Sequence, residues 1–222
     1  MEDLAANYRT RLERLGTTNV SDALDALGLR GAVMGVLPVW DCPKVVGRAI
    51  TVKITAAGLT PSRHHLGIEA IDAAAPGDVI VVDNGGRRDV SCWGGILATA
   101  AKEKGVAGVV IDGACRDVDD YPEVGLPVYA RNPVPVTARG RVMQEAFNVL
   151  IQCGGVQVRP GDVVMADRSG VCVIGREKLD EVLELAEQFY DKEVRMIQEI
   201  KAGVPILEVD RKFAYEKMLK RT

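Results

Sequence analysis

Arg116 and Asp117 are neighbours in the stretch GVVIDGACRDVDD, and between them they offer two kinds of chemistry. A guanidinium is a planar fork that holds a carboxylate or the oxygen of a polarised carbonyl, whereas an aspartate is a hard oxygen ligand suited to magnesium or manganese. Upstream, Gly94 and Gly95 open the segment GGIL. A helix starting there presents free N–H groups with no Cβ to obstruct an anion, so Gly94 and Gly95 are candidate binders of a small carboxylate. The apolar run Val109–Ile111 ends in Asp112, Arg116, Asp117, Asp119 and Asp120. Ligand sites in α/β folds gather beyond the carboxyl ends of strands, which is where this charged run falls. An Arg-Asp pair is also a common exposed pair and DVDD a common solvated run, so the surrounding elements must decide.

Those elements read as an α/β protein. A helical start is followed by TTNVSDALDALG, a short helix capped by Ser21 or a neighbouring Thr or Asn and stopped at Gly28. GRAITVKITAA alternates Ile50, Val52 and Ile54 with Thr51, Lys53 and Thr55, the pattern of a half-buried strand. Two segments, APGDVIVVDNGG and RPGDVVMADRSG, each run Pro, Gly, Asp and then into apolar residues, two similar turns feeding buried strands. Between them GGILATAAKEKG predicts a helix closed by Gly105, VAGVVID a strand and LPVYAR another. Strands separated by helices predict a single domain over residues 1–222 with a central, mostly parallel or mixed sheet. A long helix from about Glu177 to Ala202, ended by Gly203 and Pro205, closes the chain.

Composition narrows the function classes. The 222 residues are 47% hydrophobic, ample for a packed core, and the net charge of -3 lacks the basic clusters of a nucleic-acid surface. The N-terminus has no apolar core of signal-peptide length and no apolar run approaches membrane-spanning length, so a cytoplasmic protein with no membrane partner is expected. Five cysteines, an odd number without a C-x-x-C spacing, read as reduced thiols rather than disulfides or zinc ligands.

One acid stands out on the last helix. At about 100° per residue, Leu179, Val182, Ala186, Phe189, Tyr190, Ile197 and Ile200 share a stripe, and Glu193 falls near its middle. Lys192, Arg195 or solvent could satisfy it, or it could be delivered to a neighbouring subunit's pocket.

The segments TTNVSDALDALG, PGDVIVVD, GGILATAAKEKGVAGVVIDGACRD, GLPVYAR, RPGDVVMAD and the closing helix resemble the family of the regulator of ribonuclease activity A, which includes the 4-hydroxy-4-methyl-2-oxoglutarate aldolases. The resemblance implies a swivelling β/β/α-type fold in homotrimers or hexamers with sites at subunit interfaces. It also implies a class II carbon–carbon lyase dependent on Mg2+ or Mn2+, cleaving a small 2-oxo acid or decarboxylating oxaloacetate through pyruvate enolate. By position, Arg116 matches the arginine that binds the pyruvoyl unit, Asp117 the metal ligand, and the backbone of Gly95 to Leu97 the amides that grip the substrate carboxylate. Arg63, His64 and His65 precede a helix where relatives often carry histidine, which makes His65 a candidate substrate contact. Glu193 falls where the family's last helix contributes an acid across the interface. The chain departs from the aldolases at Gly95, where they carry Asp or Glu in G-[DE]-L-L, so a proton-transferring acid has to come from elsewhere. Asp89, Asp83 or a neighbour's Glu193 are the candidates. A Schiff-base route would need a desolvated lysine, which Lys102 and Lys104 do not look like. The resemblance also leaves open a non-catalytic regulator that binds a ribonuclease, and, more remotely, a phosphohistidine carrier.

Overall fold

The computed structural model describes residues 6–61 and 65–214; Arg63 and His64 lie outside the described residues. Helices α1 (Ala6–Arg14) and α2 (Thr17–Ala26) lead through the short strands β1 (Ala32–Val33) and β2 (Leu37–Pro38) to β3 (Val45–Ala56). Then follow α3 (Ile68–Ala73), β4 (Val79–Ser91), α4 (Gly95–Glu103), β5 (Gly108–Cys115), α5 (Asp120–Val124) and β6 (Val128–Ala130). After β7 (Asn132–Pro133) come β8 (Val142–Phe147), the hairpin β9 (Ile151–Cys153) and β10 (Val156–Val158), β11 (Val163–Asp167), β12 (Gly170–Ile174), α6 (Leu179–Lys201) and α7 (Ile206–Phe213).

The large sheet runs β1-β12-β11-β3-β4-β5-β6-β2, with β8 on β3 and β7 on β5. Its centre β3-β4-β5-β6 is parallel and β11, β12 and β8 pair antiparallel, so the expected mixed sheet is present. Helices α3, α4 and α5 cover one face over Ile50, Val82, Trp93, Leu97 and Tyr121, and α1, α2 and α6 pack on β11 and β12 around Leu12, Met165 and Leu183. Parallel strands are covered on both faces, which corrects the half-buried reading of β3. Val45 to Val52 are all buried, and Thr51, fully inaccessible, satisfies its hydroxyl by donating to the Val149 carbonyl at 2.5 Å.

The two Pro-Gly-Asp turns do the same job on either side of β3. Gly77 and Gly161 both sit at φ +86°, a conformation that favours glycine, and Asp78 and Asp162 close the turns by accepting from the amides of Ala75 and Arg159 at 2.9 and 2.8 Å. Each turn then launches a strand that pairs with β3, parallel for β4 and antiparallel for β11.

Two boundaries differ from the sequence expectation. Helix α2 begins at Thr17 rather than near Ser21, because Asp167 on β11 accepts both the Thr17 amide (2.8 Å) and hydroxyl (2.7 Å). Helix α6 ends as expected beside Gly203, but Pro205 starts a further helix, α7, instead of a tail. The apolar stripe of α6 is buried only as far as Met196; Ile197 and Ile200 are 50% and 40% exposed where the helix passes beyond the sheet. All five cysteines are free and buried. No helix among the described residues is long and apolar enough to cross a membrane.

Candidate functional site

A cleft of about 160 Å3 opens at the carboxyl ends of β4 and β5, lined among others by His65, Trp93, Gly94 to Leu97, Arg116, Asp117 and Asp120. Drug-sized ligands occupy several hundred Å3, so this space suits a small molecule. Its floor is fixed by backbone pairing. The Arg116 amide donates to the Trp93 carbonyl at 3.0 Å, which clamps the end of β5 to the approach to α4. Beneath, the fully buried Tyr121 donates its hydroxyl to the Arg116 carbonyl at 2.6 Å.

Asp117 is the pivot. Its φ of +56° places a non-glycine residue in the left-handed region, which Asp and Asn enter most readily and which costs other residues about 1 kcal/mol. The turn brings the Asp117 carboxylate back over the start of α4, where Oδ2 accepts from the Gly95 amide at 3.0 Å and lies 3.3 Å from Arg116 Nε. Gly94 has to be small for this: a Cβ there would meet that carboxylate at 2.6 Å. The two adjacent side chains therefore turn together rather than diverging. Ala98 is the first residue of α4 whose amide closes on a helical carbonyl, that of Gly94 at 3.0 Å. The amides of Ile96 and Leu97 precede the ladder and remain as first-turn donors, while that of Gly95 belongs to Asp117.

Asp120, at the start of α5, is the residue that sequence reasoning passed over as part of a charge run. A Cβ on Gly95 would lie 2.2 Å from Asp120 Oδ2, so the Asp120 carboxylate stands in the space a side chain at position 95 would enter. The sequence offered only the three-residue spacing from Asp117 to Asp120; the turn at Asp117 is what sets Asp120 on this rim. Of the other candidates, His65 lines the cleft, and its segment is held by the Gly67 amide donating to Gln144 Oε1 at 2.9 Å.

Three candidates lie elsewhere. Asp89 is 70% exposed, sits beside Arg87 and does not line the cleft, because the second half of β4 bulges outward between Asp83 and Ser91. Asp83 accepts from the amides of Gly85 and Gln152. Glu193 does not line the cleft of its own chain; its Oε2 accepts from Asn19 Nδ2 on α2 at 2.8 Å. The buried Asp112 is likewise structural, accepting from Arg131 Nε (2.5 Å) and the Gly154 amide (2.7 Å).

The thiols near the cleft are not nucleophiles. Burial pushes the Cys92 thiol far up, and burial likewise raises Cys115 to about 11, so neither holds thiolate at neutral pH.

Two carboxylates, a guanidinium and helix-start amides thus surround a small cleft at the ends of parallel strands in a mixed α/β fold. The chain belongs to the RraA-like family, whose model, described as Aldolase/RraA, matches residues 17–173. It is 34% identical over 189 residues to a Halalkalibacterium halodurans protein provisionally named 4-hydroxy-4-methyl-2-oxoglutarate aldolase, covering 85% of this chain and 86% of that one. It is 28% identical over 214 residues to Protein DlpA of Legionella pneumophila; that match takes in 96% of this chain but only 35% of DlpA, so the chain spans about a third of that relative. The structure of Streptomyces coelicolor RraAS2, described as an unusual member of the RNase ES inhibitor RraA family, superposes with a TM-score of 0.79 at 26% identity, covering 90% of this chain and 98% of that one.

Proposed function

We propose that this chain is a divalent-metal-dependent carbon–carbon lyase that cleaves a small 2-oxo acid through a pyruvate enolate, by aldol cleavage of the 4-hydroxy-4-methyl-2-oxoglutarate type, oxaloacetate decarboxylation, or both. The observation that carries it is the closed constellation of Arg116, Asp117 and Asp120 around Gly95.

The side chains present fit a magnesium-type ion. No group of three His, Cys, Asp or Glu exists among the described residues, but Asp117 and Asp120 give two hard carboxylates on one rim. Magnesium keeps several waters and takes one or two protein carboxylates together with substrate oxygens. Asp117 would hold it, and when bound it supplies Lewis-acid polarisation of the keto group. The chain's own residues do the rest. The Ile96 and Leu97 amides receive the C1 carboxylate, as helix starts receive anions. Arg116, its carbonyl fixed by Tyr121, faces the keto oxygen and stabilises the negative charge that builds there as the C3–C4 bond breaks. Asp120 fills the place of the acid missing at position 95 and handles the proton, in preference to Asp89 and Asp83, which do not line the cleft.

The exposed Ile96 (81%) and Ile68 (44%) beside the cleft are apolar surface that a second copy of the chain would cover, which supports a homo-oligomer with sites near subunit contacts.

The test is pyruvate release from oxaloacetate and from 4-hydroxy-4-methyl-2-oxoglutarate, with Mg2+ or Mn2+, with chelator, and with Asp117→Asn. Asparagine keeps the left-handed turn and the Gly95 contact, so a loss of turnover reports chemistry and not folding. No turnover on either substrate by a folded protein would overturn the proposal and favour the protein-binding regulator.

A further inference from the structure

We propose that Arg139 reads the far carboxylate of a dicarboxylic 2-oxo acid, and so sets substrate choice in this cleft; the proposal rests on the lyase reading above. Thr137, Ala138 and Arg139 line the cleft from the connection between β7 and β8. That connection is held in place. The Ser91 amide and hydroxyl both donate to the Val136 carbonyl, at 3.1 and 2.6 Å, and the amides of Arg141 and Val142 donate to the Ala138 carbonyl at 2.9 and 3.1 Å. A fixed backbone presents a long side chain with less ordering still to be lost on binding.

Of the neighbouring guanidinium groups, Arg131 is paired with Asp112, Arg87 with Asp89 and Arg141 with the Thr137 carbonyl, and Arg116 beside Asp117 is the one assigned above to the keto oxygen. Among the described residues no acid pairs with Arg139, and no lysine lines the cleft. Apart from Arg116 and Arg139, the charged groups on the rim are the carboxylates of Asp117 and Asp120, which repel a second substrate carboxylate and leave Arg139 as the cation not already assigned to the keto oxygen.

The two lyase reactions place different demands on such a contact. In aldol cleavage the C3–C4 bond breaks, its electron pair goes to C3 as the enolate, the C4 hydroxyl proton goes to a base and a carbonyl forms at C4. The far carboxylate keeps its charge throughout, so Arg139 can hold it from substrate to product. In oxaloacetate decarboxylation the C4 carboxylate itself leaves as CO2 and its charge passes into the enolate, so a partner for that carboxylate holds back the reaction.

The test compares binding of 2-oxoglutarate and 2-oxopentanoate, which differ in a terminal carboxylate against a methyl, by calorimetry with Mg2+ present. The wild type prefers 2-oxoglutarate by about tenfold, the scale of one charge-assisted contact, and Arg139→Gln abolishes the preference by weakening 2-oxoglutarate alone. In turnover, the ratio of aldol cleavage of 4-hydroxy-4-methyl-2-oxoglutarate to decarboxylation of oxaloacetate falls in the same variant. A preference that survives Arg139→Gln overturns the inference and leaves the lyase reading standing. Failure of the wild type to bind either acid overturns both.

Discussion

The contact between Gly95 and Asp120 gives the sharpest perturbation. A Cβ at position 95 would lie 2.2 Å from Asp120 Oδ2, where ordinary contact begins at 3.4 Å, so Gly95→Ala drives the carboxylate back by more than about 1 Å. Misplacing a reacting group by that distance costs about a hundredfold in rate. Gly95 is the first residue of α4 and does not occupy the left-handed region, so alanine is tolerated by the helix and the melting temperature stays within a few degrees. The assay is pyruvate release from oxaloacetate under saturating Mg2+. Gly95→Ala and Asp120→Ala should each lose about two orders of magnitude. The double variant Gly95→Asp/Asp120→Ala moves the acid from one backbone position to the other without crowding, and should recover to within about tenfold of the wild type. A Gly95→Ala protein that turns over at the wild-type rate, or a double variant no better than Asp120→Ala, would refute the exchange of roles between the two positions.

Four further outcomes follow from the same geometry. Asp89→Asn leaves turnover unchanged, since its side chain is outside the cleft; a collapse in kcat would reinstate it as the acid. Tyr121→Phe removes the hydroxyl that holds the Arg116 carbonyl and should cost about 1 kcal/mol in stability, seen as a fall of about 3 °C in Tm, together with a higher KM. Burial, then the nearby Glu193 and Asp25, raise the Asp22 pKa, so the folded protein binds that proton more tightly than the unfolded chain. Charged Asp22 therefore destabilises the fold above its folded pKa: Asp22→Asn should melt higher at pH 7, by on the order of 1 °C, and the gap should close as pH falls through that pKa. Native protein should react only slowly with thiol reagents at pH 8, because burial raises Cys92 and Cys115 and the other three thiols are buried as well.

Much of the scaffold was legible in the sequence because it rests on local signals. The Pro-Gly-Asp turns, Gly105 closing α4 and the Gly28 and Gly203 stops all use glycines whose positive φ the chain order alone predicts. What was hidden depends on contacts far apart in sequence. Thr17 starts α2 because Asp167 reaches it from β11, and β3 is buried on both faces because α3 and α4 pack over Ile50 and Val52 on one side and the β9–β10 hairpin over Val45 and Ala49 on the other. The site divides the same way. Arg116 and Asp117 announced themselves by type and place, and the family resemblance assigned their roles. The neighbouring carboxylate of Asp120 was concealed within a charge run, because only the left-handed turn at Asp117 carries α5 to Gly95. Glu193 looked anomalous on its helix because its partner, Asn19, is supplied by α2.

The central claim is that this cleft makes a pyruvate enolate, and the most direct measurement is exchange of pyruvate's methyl protons in D2O followed by NMR with Mg2+ or Mn2+. The account predicts exchange catalysed by the wild type, stopped by chelator and reduced by at least about a hundredfold in Asp117→Asn. Exchange no faster than in buffer, from folded protein with the metal present, would contradict it.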